Sequence, residues 1–368
     1  MGKNKIKVKV MAAMSGGVDS SVAAYLLKES GYDVTGVTMC LGISDNEKNL
    51  ENPGQNIISK CCGMDSIKDA ADVCSLLGIN HYVYDFSVHM QEFIIKPFIE
   101  SYLKGRTPNP CIECNRFLKF GILLEKAKAL GFDYIATGHY AGIVKVNGLP
   151  FLARALDRKK DQSYFLYSIM KKNLGNIIFP LHKLTKQEVR KIACDIGLKI
   201  SDKKDSQEIC FITNDNYRDF IKESKVKGKN ITGKIIDTSG RILGEHHGVF
   251  NYTIGQRKGI GISASYPLYV QEINIAKNLV VVGSRSYLEK RRLIARDANL
   301  FVDKLPACAK AKIRYNHEEA SCRIAVTDND SLEVTFEQPQ SAISPGQSIV
   351  FYKDDIVLGG AVISDCMH

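Results

Sequence analysis

The sequence predicts an α/β protein: an N-terminal doubly wound parallel sheet, a central helical region, and small β-barrel domains at the C-terminus. Strands alternate with helices in the first half, a helical pattern follows, and the last third consists of short β-branched runs separated by turn residues. The chain has 368 residues, of which 45% are hydrophobic and 24% charged. This length and composition exclude a disordered tail or a disulfide-stapled miniprotein and favour roughly two or three domains.

The first half contains strands in the order that a parallel sheet requires. Helices that end near Gly31 and Gly78 separate the first three strands. Strands are expected at Lys5–Met11, Val34–Met39, His81–Phe86 and Asp133–Thr137. Ligands of such sheets bind beyond the carboxyl ends of the strands, so functional residues are expected there.

Two changes of composition divide the rest of the chain. The Lys-rich, Gly-punctuated stretch 222–234 is typical of a linker, and the basic segment 285–292 separates two β-rich parts. We therefore expect an α/β domain at 1–160, a helical region at 161–225, a small β domain at 226–288 and a C-terminal β-barrel at 289–368.

The charge balance and the cysteine content indicate the class of partner and the compartment. Fifty basic and 40 acidic residues give a net charge of +10, which favours a polyanionic partner. No stretch approaches the roughly 20 apolar residues that a bilayer demands, and the N-terminus lacks the apolar centre of a signal peptide. We expect a cytosolic protein without a membrane partner, whose 11 cysteines serve chemistry or metal binding rather than a disulfide framework.

The strongest local signal is the loop SGGVDSS at 15–21, which lies between a buried strand and an amphipathic helix. Its glycines allow backbone N–H groups to approach an anion, and the helix N-terminus adds positive potential. Asp19 can cap the helix or hold Mg²⁺ through water. Because no lysine follows the glycines, the loop differs from that of kinases and GTPases.

The second signal is a C-x-x-C motif, Cys111 to Cys114, preceded by two prolines. The prolines predict a rigid loop before a helix that begins near Arg116, where a thiol can be acidified. Spacing alone leaves three interpretations open: a redox pair, part of a metal site, or coincidence. The third signal, Cys210 in DSQEICFI, is by itself more typical of a buried core thiol.

Seven motifs in order change the interpretation of Cys210: SGGVDSS, RTPNPCIECNRFLKF, ATGHY, KDQSYFL, KKDSQEICFI, GEHHGVFNYTIGQRKGIG and SPGQSIVFY. The chain resembles the tRNA-specific 2-thiouridylase family of the ATP pyrophosphatase superfamily over nearly its whole length. The resemblance implies an N-terminal ATP pyrophosphatase domain, a central tRNA-binding region and C-terminal β domains. It also implies ATP-dependent replacement of the C2 oxygen of the wobble uridine by sulfur, through an O-adenylated uracil, with release of AMP and pyrophosphate.

The resemblance also implies roles for individual residues and partners. ATP, with Mg²⁺, would be bound by Ala13, Met14, Ser15, Gly16, Gly17, Val18, Asp19, Ser20, Met39 and Gly138. Cys114 would be the nucleophile and Cys210 the persulfide carrier, ending in a Cys114–Cys210 disulfide. Contacts with the target base and the tRNA anticodon loop would come from Asn109, Pro110, Cys111, His139, Lys160, Asp161, Gln162, Arg314, Tyr315 and Gln347. An upstream protein would donate persulfide or sulfide sulfur.

One position departs from the family pattern, because many relatives have Asp where this chain has Cys111. Cys111, Cys114 and Cys210 could therefore hold an iron–sulfur cluster with one iron open for sulfide. Cys61, Cys62 and Cys74 are further thiols without an assigned role.

Two other functions remain open at this stage. One is a different ATP pyrophosphatase, such as an amidating or lysidine-forming ligase, which would not require Cys114 and Cys210 together. The other is an RNA-binding or metal-binding module without catalysis.

Overall fold

The computed structural model describes residues 7–42, 64–201, 203, 209–212, 217–223, 232–327 and 331–367. The predicted loop 44–59, Cys61, Cys62 and most of the predicted linker lie outside these residues. The chain divides into two compact units. Unit 1 consists of Met1–Ile94, Cys111–Phe211 and Asp354–Val357, and unit 2 of Ile95–Pro110, Ile212–Lys353 and Leu358–His368.

The helices are numbered along the chain. They are α1 (Val18–Glu29), α2 (Met64–Leu76), α3 (Ser87–Met90), α4 (Lys96–Leu103), α5 (Pro110–Glu113), α6 (Leu124–Ala129), α7 (Lys186–Asp195) and α8 (Tyr217–Glu223). Segments Gln91–Ile95 and Cys114–Leu123 are π-helical, and short 3-10 turns cover Ser163–Leu166, Lys171–Asn176, Val249–Asn251 and Arg285–Leu288. No described helix is long and apolar enough to span a bilayer.

The strands follow the same numbering. Those of unit 1 are β1 (Lys9–Ala13), β2 (Asp33–Cys40), β3 (Asn80–Asp85), β4 (Tyr134–Ala136), β5 (Ala141–Val146), β6 (Leu149–Arg154) and β7 (Ile177–Ile178). The others are β8 (Thr232–Asp237), β9 (Ile242–His247), β10 (Tyr269–Asn274), β11 (Leu279–Gly283), β12 (Glu289–Leu300), β13 (Cys308–Lys312), β14 (Ala320–Val326), β15 (Leu332–Ser341), β16 (Ser348–Lys353) and β17 (Ile356–Met367).

The predicted parallel sheet is confirmed in unit 1. Its order is β3-β2-β1-β4-β7, and β1 pairs in parallel with both β2 and β4. The central strand is almost fully buried, and the apolar faces of α1 and α2 pack on it through residues such as Val22 and Val73. The carboxyl ends of β1, β2 and β4 therefore meet at one edge of the sheet.

The predicted helical region between 162 and 220 contains less regular helix than its pattern indicates. Only α7 is a regular helix of several turns among the described residues of this region, and Thr185 with Glu188 forms a capping box at its start. The preceding part consists of 3-10 turns and the short strand β7, because Gly175 and Pro180 interrupt the apolar periodicity. The hairpin β5–β6 was not predicted.

The predicted β domains are confirmed in unit 2. A four-stranded sheet has the order β10-β11-β8-β9 and encloses a small core that includes Ile235, Val270 and Val280. Strands β12 to β17 form a closed six-stranded barrel, since β12 pairs with both β15 and β17. Closure leaves the barrel without a free strand edge.

Candidate active site

The glycine loop leaves the carboxyl end of β1 and enters α1, as predicted. Ser15 and Ser20 bind each other, because the Ser15 amide donates to the Ser20 hydroxyl at 3.2 Å and the two hydroxyls lie 3.1 Å apart. Gly17 carries no side chain that could cap α1, and its carbonyl accepts from the hydroxyls of Ser20 and Ser21. The arrangement leaves the first amides of a 12-residue helix without a side-chain cap, which suits a phosphate group.

Two predicted glycines are required by close packing around this loop. Gly16 has φ of +67°, and a Cβ added to it would lie 2.2 Å from the Ser66 carbonyl oxygen. A Cβ on Gly138 would lie 2.6 Å from the backbone of Asp19 and Ser20. Gly138, which follows β4, therefore lies directly against the first turn of α1, as the motif comparison implies.

Met39 occupies the neighbouring strand at the same edge of the sheet. It is half-buried in β2, two residues beyond Val37, whose carbonyl accepts from the Met14 amide at 2.8 Å. The residues predicted to bind ATP thus lie together at the carboxyl ends of β1, β2 and β4.

Asp19 does not cap α1 but forms an ion pair that the sequence did not predict. The Lys186 ammonium lies 2.7 and 2.8 Å from the two carboxylate oxygens, and the Tyr140 hydroxyl donates to the same carboxylate at 2.8 Å. The Lys186 side chain is only 12% exposed. A half-buried cation from α7 therefore lies at the N-terminal end of α1, although no lysine follows the glycines in the sequence.

A second lysine binds the loop from the segment that leads to Cys210. The Lys203 ammonium donates to the Gly16 carbonyl at 3.2 Å and to the Asp69 carboxylate at 2.7 Å. This contact connects the glycine loop with α2 and with the chain that carries the third predicted thiol.

The C-x-x-C motif lies in a helix, so the predicted rigid loop before Arg116 is wrong. Helix α5 begins at Pro110 and continues directly into the π-helical segment that starts at Cys114. Proline is compatible with the first helical position because its missing N–H would have no helical partner there. Cys111 and Cys114, three residues apart, therefore lie in one row of the helix.

The three predicted thiols influence one another electrostatically. Cys114 is 9% exposed, whereas Cys111 and Cys210 retain exposed surface although their sulfur atoms are densely surrounded. Burial raises the pKa of all three thiols. At Cys210 the nearby Cys114 and Cys111 add to the effect of burial, and its pKa rises to about 12. The structure thus brings Cys114 and Cys210 into the same neighbourhood.

Lys119 is a functional candidate that the sequence analysis missed. It lies on the π-helical segment that begins at Cys114, and its positive charge lowers the pKa of Cys111, Cys114 and Cys210. It therefore opposes the effect of burial on each thiol. A lysine five residues beyond a cysteine gives no signal in an ordinary helix pattern, but the wider turn of a π-helix places the two near one face.

The described residues do not support the predicted iron–sulfur ligand set. In the part of the chain that the structure describes, no three His, Cys, Asp or Glu side chains are grouped so that they could hold a metal ion. An iron–sulfur cluster on Cys111, Cys114 and Cys210 therefore stays a prediction.

Two other cysteines have structural surroundings. Cys74 is buried where α2 packs on β2, and burial raises its pKa to about 11. Cys40, at the end of β2, is disulfide-bonded. The sequence analysis did not anticipate this bond.

Several of the predicted tRNA contacts in unit 1 form hydrogen bonds with other residues of the protein. Asp161 is 5% exposed and accepts from the amides of Ala155 and Ser163, while Gln162 accepts from the Tyr140 amide. His139 binds Thr137 at 2.7 Å, and burial lowers its pKa well below the usual value. Lys160 lies beside Asp161 at a half-buried position.

Several predicted contacts in unit 2 also make internal hydrogen bonds. Arg314 donates to the carbonyls of Ile254 and Ala342 and to the Ser344 hydroxyl, and Gln347 donates to the Thr107 carbonyl at 2.9 Å. Three other predicted tRNA contacts lie in this unit. The Lys312 ammonium lies over the Tyr315 ring at 5.8 Å from its centroid, Asn109 is half-buried, and Pro110 is buried. These bonds fix the orientation of Arg314 and Gln347.

Comparison with known proteins agrees with this geometry. Three family models match: "tRNA methyl transferase HUP domain" at residues 8–214, "tRNA methyl transferase PRC-barrel domain" at 218–284 and "Aminomethyltransferase beta-barrel domain" at 290–363. A tRNA-specific 2-thiouridylase MnmA of Syntrophus aciditrophicus is 48% identical over 99% of this chain and 94% of its own length. One from Clostridium perfringens is 45% identical over 98% of this chain and 99% of its own length. The chain belongs to the tRNA-specific 2-thiouridylase family.

Proposed function

We propose that the protein is a tRNA-uridine 2-sulfurtransferase that uses ATP, with Cys114 as nucleophile and Cys210 as persulfide carrier. One observation carries the proposal: unit 1 contains both a glycine loop at the edge of a parallel sheet and two distant cysteines that influence each other electrostatically. A ligase that forms amides or lysidine has no need for the second feature.

The nucleotide would be held by the loop 13–20 together with Met39 and Gly138. Bound ATP supplies an adenylyl group that converts the C2 oxygen of uracil, a poor leaving group, into one that departs with AMP. The amides at the start of α1 and the hydroxyls of Ser15 and Ser20 bind phosphate oxygens, and Lys186 adds a positive charge beside them. Mg²⁺ would accompany the phosphates and neutralise part of their charge.

The thiols would deliver sulfur to C2. A donor protein loads a sulfur atom on Cys210 as a persulfide. In one route the outer sulfur attacks C2, which joins the base to Cys210 through an S–S bond, and the Cys114 thiolate then breaks that bond by attack on the Cys210 sulfur. In the other route the Cys114 thiolate first attacks the Cys210 sulfur and releases hydrosulfide, which then attacks C2. In both routes the C–O bond to AMP breaks and the C–S bond forms. The two electrons that reduce the sulfur come from the thiols, which end as a Cys114–Cys210 disulfide that a cellular thiol reductant reopens.

The tRNA would bind through its anticodon loop, whose unstacked wobble base can be extruded at a cost of a few kcal/mol. Basic side chains supply affinity for the backbone. We assign the target base to Asn109, Pro110 and Cys111. Contacts with the rest of the tRNA are assigned to His139, Lys160, Asp161, Gln162, Arg314, Tyr315 and Gln347.

The proposed function is tested by reconstitution with purified protein, tRNA, Mg²⁺-ATP, a persulfide sulfur donor and a thiol reductant. We expect 2-thiouridine at the wobble position, measured by mass analysis of nucleosides, and AMP formation that depends on tRNA. AMP formation without thiolated nucleoside would favour another ATP pyrophosphatase. The absence of both products would favour a binding module.

The descriptions of the matching family models name methyl transfer, whereas those of the curated relatives name thiolation. The coupled thiols and the glycine loop favour thiolation, because methyl transfer to a base nitrogen or carbon requires no adenylation. Replacing ATP and the sulfur source by S-adenosylmethionine in the same mixture distinguishes methyl transfer from thiolation. Methylated nucleoside from that mixture would contradict the proposal.

An iron–sulfur cluster on the same thiols has its own test. Anaerobic purification followed by iron and acid-labile sulfide assays measures cluster content directly. We expect an iron-free protein that is fully active with a persulfide donor. Stoichiometric iron and sulfide, lost together with activity on chelation, would replace the persulfide route.

A further inference from the structure

Asn115, the residue after the nucleophile, has a buried oxygen without a partner. Its side chain is 2% exposed, and its Nδ2 donates to the Phe165 carbonyl at 3.0 Å. The Oδ1 atom is buried and accepts no hydrogen bond. Buried amide oxygens are normally paired, since an unpaired one loses its hydration without compensation. An unpaired oxygen beside a catalytic thiol therefore points to a substrate group as its partner.

The Phe165 carbonyl fixes which way the amide of Asn115 points. Reversing the amide would bring two acceptor oxygens together, so Nδ2 must face Phe165 and Oδ1 must face away from it. A second hydrogen bond joins this helix to the same neighbouring segment, because the Ser168 hydroxyl donates to the Ile112 carbonyl at 3.2 Å. The acceptor is thus rigidly oriented.

The helix places this acceptor in the row next to the thiols. Cys111 and Cys114 form one row of residues three apart, and Ile112 and Asn115 form the adjacent row. Cys114 and the Asn115 oxygen are both covered in the structure.

The chemistry of uracil identifies the donor. In a nucleoside, N3–H is the only N–H donor of the uracil ring, since N1 carries the ribose and both carbonyls accept. N3 is bonded directly to C2, the carbon at which oxygen is replaced by sulfur. A group that accepts from N3–H must therefore stand close to the nucleophile, and Asn115 is the next residue of the same helical segment.

We propose that Asn115 is a specificity-determining residue whose Oδ1 accepts a hydrogen bond from N3–H of the target uridine. The inference rests on the proposed function and names how its substrate base is read. Cytosine has an acceptor at N3, so it would leave two acceptors facing each other. A site that hydrogen-bonds a donor of its substrate strongly rejects an analogue that lacks the donor. An apolar pocket rejects an analogue that carries an additional group much less strongly.

The test is a double-mutant cycle of binding affinities, in which Asn115 and the N3–H group of the base are each removed separately and together. Anticodon stem–loops carrying uridine or 3-deazauridine at the wobble position differ in the N3–H donor, and their affinities are measured without turnover. We expect the wild-type chain to bind the 3-deazauridine stem–loop about 10- to 100-fold more weakly. Asn115→Leu should weaken binding of the uridine stem–loop by a similar factor and bind both stem–loops equally.

Asn173 offers a matched control. It is also a buried asparagine, and its Nδ2 donates to a phenylalanine carbonyl, that of Phe120, at 3.0 Å, but its Oδ1 accepts from Lys128. Asn173→Leu should keep the full preference for uridine, whatever its effect on thermal stability. A substitution that merely disturbs packing would behave alike at both positions.

Equal binding of the two stem–loops by the wild-type chain would overturn the inference, and this measurement needs no variant to fold. Discrimination that survives in Asn115→Leu would overturn it as well. Both outcomes are distinguishable from failure of the proposed function, in which the uridine stem–loop would not be thiolated by the wild-type protein at all.

Discussion

The glycine loop and the thiol cluster of unit 1 differ in how completely they are formed without substrates. The loop already has its hydroxyls paired, its glycines packed and a cation held near α1. The thiols are close enough to influence one another, yet burial raises the pKa of each, so they are protonated at neutral pH. The proposed nucleotide site is therefore preorganised, whereas the proposed sulfur site would need loading and activation before it could react.

The largest expected effect tests the sulfur site alone. Cys114→Ser removes the proposed nucleophile, so wobble thiolation should fall by about 10³-fold or more while ATP binding is kept. Thiolated nucleoside is measured by mass analysis, and ATP binding by titration. Cys194→Ser, at an exposed cysteine of α7, is the control and should remain active. Normal thiolation by Cys114→Ser would reject the assignment.

The second prediction tests whether the loop depends on its tight packing. Gly16→Ala places a Cβ 2.2 Å from the Ser66 carbonyl oxygen, so the loop must move and ATP turnover should fall about 100-fold. Gly131→Ala has the same backbone strain, with φ of +76° and no atom within 4 Å. The control should lose about 1–2 kcal/mol of stability by chemical denaturation without a change in ATP affinity. Equal ATP affinity in both variants would contradict preorganisation.

The third prediction concerns the cation at the loop. Lys186→Met leaves the Asp19 carboxylate facing the nucleotide phosphates, so the KM for ATP should rise about tenfold. The double variant Asp19→Asn with Lys186→Met removes the repelling charge and should recover part of the affinity. A double variant that is weaker than Lys186→Met would instead indicate that Asp19 binds Mg²⁺ in the reacting complex. Nucleotide affinity is measured at several Mg²⁺ concentrations.

The fourth prediction concerns the charge of Lys119 beside the proposed sulfur site. Because only the thiolate reacts, activity should rise with pH below the thiol pKa values. Lys119 lowers these values, so Lys119→Met should shift the pH–rate profile to higher pH and reduce the rate at neutral pH about three- to tenfold. Lys119→Arg keeps the charge and should keep the profile.

Lys126→Met is the control for an unspecific loss of positive charge. Lys126 lies over the Tyr84 ring at 4.2 Å, on the helix that follows the π-helical segment. Its removal should leave the pH profile unchanged. A uniform loss of rate at every pH in Lys119→Met would show that the lysine acts by packing rather than by its charge.

The two sites also differ in how far the sequence predicted them. The loop was predicted because its determinants are local: a buried strand, two glycines and a helix follow one another within a few residues. The same holds for the parallel sheet, whose strands and helices each have their own period. Gly138 and Met39 came from the family resemblance, and the sheet explains why they converge.

The parts that were missed depend on contacts between distant segments or on unusual helix geometry. Lys186 reaches Asp19 from another helix, which no spacing rule can indicate. The helix at Pro110 was mistaken for a loop because a proline breaks a helix interior but suits its first turn. The π-helical turn that follows has no pattern that distinguishes it in advance, so Lys119 had no visible relation to Cys114.

The hydrogen bond from Lys203 to the Gly16 carbonyl limits how far Cys210 can move from the glycine loop. Lys203 precedes Cys210 by seven residues, and an extended chain covers at most about 3.6 Å per residue, so the two α-carbons stay within about 25 Å. While that hydrogen bond holds, the chain between Lys203 and Cys210 limits the distance of Cys210 from the glycine loop. If Cys210 carries the sulfur as we propose, its donor would have to load it within this range of the glycine loop, or the bond from Lys203 to Gly16 would first have to break.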